Sequence, residues 1–468
     1  MSAIATALNR FGLGGKGGEQ PPADARRWLL DQLRRFDPAP SVIRARPTGV
    51  QTVKRLVQYR ADLDRARKLA GAAFSPGEPT ERTRAILLEY NESGRASYID
   101  DVLARGQVAV ASETPFVERL VHFWANHFTT SMAKLQAIAF VGPHEFEAIR
   151  PHVLGDFRGL LRAAVLHPAM LTYLDQPQSV GPTSFAATSR KKREGVQSGL
   201  NENLAREIME LHTLGSDGGY NQADVTEFAR ALTGITYSGL ATIRNASDLG
   251  NGSAFAPDLH EPGVRVVMGR RYPQQGKDQA LAMLDEFARH PATARHIATK
   301  LARHFAADDP PAALVARLEK AFLASDGDLP TVYRALVDAP ESWSLGQRKF
   351  RTPWEWTIGA MRAIGTPPTE ARRFQVLLDQ LGQPVWAAPS PLGYADRASN
   401  WAAPDALVRR IEVADKMAQS IVPPKAIDLA RDLFPDALND STTTALTGAA
   451  SPTQALALLL ASPEMMRR

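Results

Sequence analysis

The chain reads as mainly α: a large multi-helix, bundle-like architecture in two lobes, with a small β-hairpin insertion between them. Ala, Leu and Arg abound, and valine-rich alternation is scarce. Apolar residues return at three- and four-residue spacing in one segment after another, the period of an amphipathic helix.

The first lobe, residues 1–239, carries helical patterns over Ala23–Arg35, Gln51–Leu69, Pro79–Arg105 and Pro115–Leu135. Further patterns cover Pro143–Ile149, Phe157–Leu166, Asn201–Leu214 and Gln222–Thr233. Thr114-Pro115 supplies a cap followed by Pro at the first helical position. Asn221 to Asp224 supplies a cap with an acid in the first turn. Gly215 stands where a glycine ends the Asn201–Leu214 helix. The insertion, residues 240–275, is rich in Gly, Ser, Asn and Asp before Val264, Val266 and Met268 alternate. A two-stranded hairpin is expected from about Ala254 to Arg271, turning at His260 to Gly263. The second lobe, residues 276–468, continues with helices over Lys277–Arg289, Pro291–Phe305, Ala312–Ala324, Leu329–Val337 and Pro353–Ile364. It closes with Thr369–Leu381, Pro404–Gln419, Ala426–Leu433 and Thr453–Leu460. The stretch Asp175 to Gly199 is polar, holds Arg190-Lys191-Lys192-Arg193, and is long enough to act as a functional loop or lid.

Composition narrows the chemistry. There are 468 residues, 44% hydrophobic and 22% charged, which suits a globular chain with a large core. The formal charge of +5 is small for that length, so nucleic acid is not indicated. Cysteine is absent, which removes disulfides, thiolate ligands, iron–sulfur clusters and a cysteine nucleophile. Any metal would need His, Asp, Glu or Asn ligands. No apolar run reaches the length of a membrane span, and Met1 to Leu13 has no signal-peptide pattern. The expected location is the cytoplasm, or outside it if exported with a partner. Gly-x-Ser-x-Gly does not occur, and the glycines of Phe11 to Gly18 lack Walker spacing.

Asn201 to Gly215 carries the sharpest functional signal. At 100° per residue, Leu204, Ile208, Leu211 and Leu214 share a face, and Glu207 falls on it with Asn203 and Glu210 at its shoulder. A carboxylate in an apolar face needs a partner or a proton. The Pro115–Leu135 pattern places His127 at the edge of its own apolar stripe, with Asn126 nearby. Convergence of His127 and Glu207 would give an acid/base pair or a metal site of N and O ligands, with Asn203, Glu210 and Asn126 around it. The plainer reading is a structural His–Glu bond between two helices. His212, in the last turn, complements the helix dipole or contacts a cofactor. His144, Glu145, Glu147 and His152 add to the same region, without a His-Glu-x-x-His signature. His260 and Glu261 are turn residues or project into a cleft.

These motifs resemble a known family, domain of unknown function 1800. The resemblance runs from Leu8-Asn9-Arg10-Phe11-Gly12 through Phe123 to Phe128 and Asn201 to Gly215, and on through Lys300-Leu301. It continues through Lys349 to Pro353 and Pro391 to Tyr394. The family pattern usually reads Phe-Trp-His-Asn-His-Phe, where this chain has Ala125 in place of the first histidine. His260-Glu261 stands for the usual His-Asp, and Arg265 for a following Lys. The resemblance implies a predominantly helical bacterial protein. Members are often encoded beside a sulfatase-like family, domain of unknown function 1501, many of which look exported, and this implies a partner.

Two expectations follow. One is an enzyme using a buried Glu/His/Asn pocket between helices, built on Glu207, His127, Asn203 and Glu210, with Asn126, His212 and His260 placed to touch a cofactor. Metal-assisted hydrolysis and oxidative chemistry at iron or haem both fit such a pocket. The other is a non-catalytic binding or maturation partner of a sulfatase-like exported enzyme.

Overall fold

The computed structural model describes residues 2–19, 22–70, 80–190, 199–239, 245–344 and 349–468. It is mainly helical. The helices used below are α1 (Gly49–Ala70), α2 (Glu81–Ala111), α3 (Pro115–His127), α4 (Asn203–Glu207) and α5 (Gln222–Leu232). They continue with α6 (Pro291–Phe305), α7 (Ala312–Ala324), α8 (Pro353–Ala363) and α9 (Ala371–Gln380). Several start where the caps predict. Asn221 and Asp224 form a reciprocal capping box on α5, Thr352 and Glu355 form one on α8, and Pro115 opens α3. No helix among the described residues is long and apolar enough to cross a membrane.

Two segments differ from the sequence expectation. The helix expected over Pro115–Leu135 stops at His127. Thr129, Thr130 and Ser131 follow, and the Thr129 hydroxyl donates to the Asn126 carbonyl at 2.6 Å, a local bond that competes with the helix. The chain then joins a distant segment, with Met132 N–H donating to the Trp386 carbonyl. The hairpin is also elsewhere. Strand β1 (Ile235–Tyr237) and β2 (Ser247–Gly250) flank β3 (Ser253–Phe255) in one antiparallel sheet. Strands β4 (Arg265–Val267) and β5 (Arg270–Tyr272) form the hairpin. Its turn is Met268-Gly269, with φ of 50° and 74°, the paired positive values that match strand twist. His260 to Gly263 is instead a loop entering it. The run Lys191 to Arg193 lies outside the described residues. The described part of the expected lid, 175–190, holds a short 3₁₀ turn and a helix at Phe185–Arg190.

The largest apolar cluster is continuous across the 240–275 segment. It joins Phe11, Leu120, Trp124, Phe157, Ile208 and Phe228 to Leu284, Ile297, Phe305 and Tyr333. Trp124 is fully buried, and its indole N–H donates to the Tyr333 hydroxyl at 2.7 Å, so the large ring enters the core with no unmet donor. A second cluster gathers Phe350, Trp356, Ala414, Leu429 and Leu456. A third joins Leu13, Val102, Trp354, Phe374 and Trp386. The site described next lies where the first and third meet.

Candidate functional site

The Asn201 to Gly215 segment is not a uniform α-helix. After α4 it continues as a π turn, Ile208–His212. The Thr213 hydroxyl donates to the Ile208 carbonyl at 2.6 Å, and Gly215 N–H reaches the Met209 carbonyl. A π turn carries more residues per turn than an α turn, so the phase read at 100° per residue is lost after Glu207. His212 is swung fully inside, Asn203 is exposed, and Glu207 and Glu210 are half-buried. Partial burial and the neighbouring Glu210 raise the Glu207 carboxyl above its usual value.

His127 therefore finds a backbone partner on this segment and not the Glu207 carboxylate. Its Nε2–H donates to the His212 carbonyl at 3.1 Å, and Nδ1 is left buried without a partner. His296 Nε2 donates to the Leu211 carbonyl at 3.0 Å. Two imidazoles thus satisfy the carbonyls that the π turn frees. His212 itself has both ring nitrogens buried and unpartnered, 5.9 Å centroid to centroid from His127. Among the described residues, no group of three or more His, Asp or Glu side chains is placed to hold a metal ion.

The other sequence candidates are held by local structure. His260 Nδ1 bonds the Thr233 carbonyl at 2.9 Å, and the Glu261 carboxylate accepts from Thr183 N–H at 2.7 Å and its hydroxyl at 2.9 Å. Arg265 donates to the Glu261 and Pro262 carbonyls and pairs with Glu227. His144 bonds the Ala164 carbonyl, His152 the Ala148 carbonyl, and Glu147 accepts from Gly49 N–H.

A cavity of about 300 Å³ lies between α3, α6, the start of α8 and the segment 383–397. His127 and Asn126 line it; Glu207, Glu210, Asn203, His212 and His260 do not. Asn126 works as a clamp. Its side-chain amide donates to the Tyr394 carbonyl at 2.9 Å and its side-chain oxygen accepts from Tyr394 N–H at 2.8 Å. Gly393 makes this contact possible. It sits at φ 86°, and a Cβ there would lie 2.4 Å from the Asn126 carbonyl oxygen. Gly393→Ala is expected to lower stability by about 2–4 kcal/mol through left-handed strain plus overpacking, read by urea denaturation. Trp386, also on the wall, holds φ 48°, a costly value for a bulky residue. Its indole N–H donates to Glu145 at 2.8 Å, which helps to hold it there.

The chemistry-bearing face of the cavity comes from α6. Lys300 and His304 are one turn apart and both line it, as does Asp396 from the loop. His304 Nδ1–H donates to the Asp396 carboxylate at 3.0 Å, which fixes the tautomer and leaves Nε2 with a lone pair and no partner. Burial lowers the His304 imidazole, against the pull of Asp396. Burial opposes charge on Asp396, but His304, Lys349 and Arg468 outweigh it and hold that carboxyl well below its usual range. Lys349 Nζ lies 3.1 Å from the Asp396 carboxylate and 2.9 Å from that of Asp308. Glu355, also on the cavity wall, pairs with Arg119 and with Arg468 at 3.1 Å. Burial opposes the Glu355 charge, yet Arg468 and Arg119 keep its carboxyl well below the ordinary value.

The chain matches the family described as protein of unknown function (DUF1800) over residues 6–467. It belongs to that family. No curated protein and no solved structure matches it. Several segments that carry the family resemblance converge on the cavity. Phe123, Ala125, Asn126 and His127 line one wall, Lys300 faces it from α6, and Thr352, Leu392 and Tyr394 line it as well. Ala125, where the family pattern usually has histidine, is on the same wall and 8% exposed. Lys300, His304 and Asp396 were not among the sequence candidates. The i, i+4, i+8 series His296, Lys300, His304 beside the apolar Ile297, Leu301 and Phe305 was the available signal for α6. Asp396 comes from an irregular loop and offered none.

Proposed function

We propose that this member of the DUF1800 family is an enzyme, and that it performs acid–base chemistry on a small anionic substrate in the cavity between α3 and α6. The observation that carries the reading is the Asp396–His304 pair, in which Nε2 of a cavity-lining side chain is buried and has no partner. A carboxylate on Nδ1–H orients the imidazole and stabilises the imidazolium formed when Nε2 takes a proton. A base so placed contributes typically 10²–10⁴ in rate. Lys300, Arg303 and Arg397 give the cavity a cationic side suited to a carboxylate, sulfate or phosphate group. Trp354, Trp386 and Leu13 supply apolar wall that limits the water around the reacting atoms. His127 and Asn126 keep a place in this reading, as wall and clamp; Glu207 lies outside it.

A panel of small anions (sulfate, phosphate, acetate, pyruvate) tests the proposal by thermal shift. At tenfold excess over its dissociation constant, a ligand of the native state adds about 1.4 kcal/mol. At least one anion is expected to raise the Tm of the wild type and to lose that effect in His304→Gln. Uniform indifference to the panel, with a sulfatase-like DUF1501 protein co-purifying in stoichiometric amount, would favour the maturation-partner role instead.

A further inference from the structure

Lys300 differs from the other cations on the cavity wall. Arg105 is bound to Glu145, Arg119 to Glu355, Arg303 to the Asp308 carbonyl and Arg397 to Asp309. Among the described residues, Lys300 has no carboxylate within salt-bridge distance and no hydrogen bond. Its helix neighbours one turn away on either side are imidazoles, His296 and His304, and its charge also acts on His127 and His212. Arg303 adds a like charge, and Asp396, which would favour the ammonium, is already committed to His304 and Lys349. An amine with little water and no anion of its own gives up its proton readily. Burial lowers the Lys300 ammonium to about 8, with Arg303 lowering it further and Asp396 opposing. A lysine desolvated beside another cation is the setting in which amine nucleophiles are activated.

We propose that Lys300 is a covalent catalytic residue of this site, and that the substrate is a small aldehyde or ketone bearing an acidic group. This rests on the cavity reading above. The neutral Nζ adds its electron pair to the carbonyl carbon, forming the C–N bond as the C–O π bond opens. His304 Nε2 takes a proton from that nitrogen and passes it to the oxygen, which becomes a hydroxyl. Reprotonated from water, His304 gives a second proton as the hydroxyl leaves as water and the nitrogen lone pair closes the C=N bond, so amine, carbonyl and one proton become iminium and water with no oxidant or reductant. The acidic group of the substrate is held by the cationic side of the cavity at Arg303 and Arg397. The iminium nitrogen then draws electrons from the adjacent carbon, which suits decarboxylation, aldol cleavage or proton exchange at that carbon.

Glyoxylate with sodium cyanoborohydride, applied to the whole wild-type protein at pH 8, traps such an imine as a carboxymethyl group read by peptide mass mapping. Lys416 is exposed on the surface and serves as the internal reference. Lys300 is expected to be labelled on the order of tenfold faster than Lys416, the larger neutral fraction being partly offset by lower intrinsic nucleophilicity. Pre-incubation with a stabilising anion is expected to slow Lys300 alone. Labelling of Lys300 no faster than Lys416 would overturn the covalent role. If that result came with an anion shift that still depends on His304, the cavity reading would stand and only the imine would fall.

Discussion

Lowering the pH from 7.5 to 5.5 is expected to destabilise the protein strongly, because its buried imidazoles stay neutral in the folded state. Burial pushes His144 and His212 down to about 3 and His296 to about 4. It pushes His122 and His127 well below the ordinary value. In the unfolded chain each returns to roughly 6.5. Below that value the unfolded state binds more protons than the native one, so stability is present above it and lost as pH falls. At pH 5.5 each neutral buried imidazole forfeits about 1.4 kcal/mol, and the five together about 7 kcal/mol; Asp101, whose carboxyl burial raises to about 7, takes up a proton in the folded state and offsets about 2 kcal/mol of this, leaving about 5 kcal/mol against a typical total of about 5–15 kcal/mol. Fluorescence and far-UV circular dichroism at fixed low urea are expected to show one cooperative transition between about pH 5 and 6. Stability unchanged down to pH 5 would mean that these rings accept protons in the folded state.

Glu355→Gln is expected to cost about 3–5 kcal/mol, the usual loss when one member of a buried ion pair is removed. Arg119 and Arg468 both end on this carboxylate, and Arg351 lies in the same buried cluster, its Nη2 donating to Asn9 at 2.6 Å. Arg119 and Arg351 are both pulled down by burial, to about 10 and about 9, and both are aided by Glu355. Without the carboxylate, buried guanidinium groups face one another with only backbone and amide partners. The loss is expected to shrink when Arg119→Met is combined with it, because the double variant removes one of the stranded charges. A coupling of about 1–3 kcal/mol in that cycle, measured by urea denaturation, would fit; strict additivity would show that Arg119 and Glu355 do not act on each other.

The helical architecture was legible because long amphipathic periods and caps agree with each other, as at Thr114-Pro115 and Asn221 to Asp224. His127 was legible as an inward residue for the same reason. Glu207 was not, because one α phase does not hold through Asn201 to Leu214. Nothing in the side chains of Ile208 to His212 demands a π turn. What satisfies it is tertiary: His127 and His296 donate to the carbonyls of His212 and Leu211. The hairpin slipped for a related reason. His260-Glu261-Pro262-Gly263 has strong turn composition, while the actual reversal uses Met268 at positive φ, a residue that seldom advertises a turn. The cavity needs α6, the start of α8 and an irregular loop some ninety residues beyond α6 to meet. Such a convergence has no local period, so Asp396 beside His304 could be found only once the chain was folded.

Calorimetric titration of the most stabilising anion into wild type, Glu207→Gln, His304→Gln and Lys300→Met decides between the two locations for the site. Glu207→Gln is expected to bind within about twofold of wild type. His304→Gln and Lys300→Met are each expected to lose about tenfold or more, or about 1.4 kcal/mol. Loss of binding in Glu207→Gln with full affinity retained in His304→Gln would place the site at the Asn203–Glu207 helix instead of the cavity.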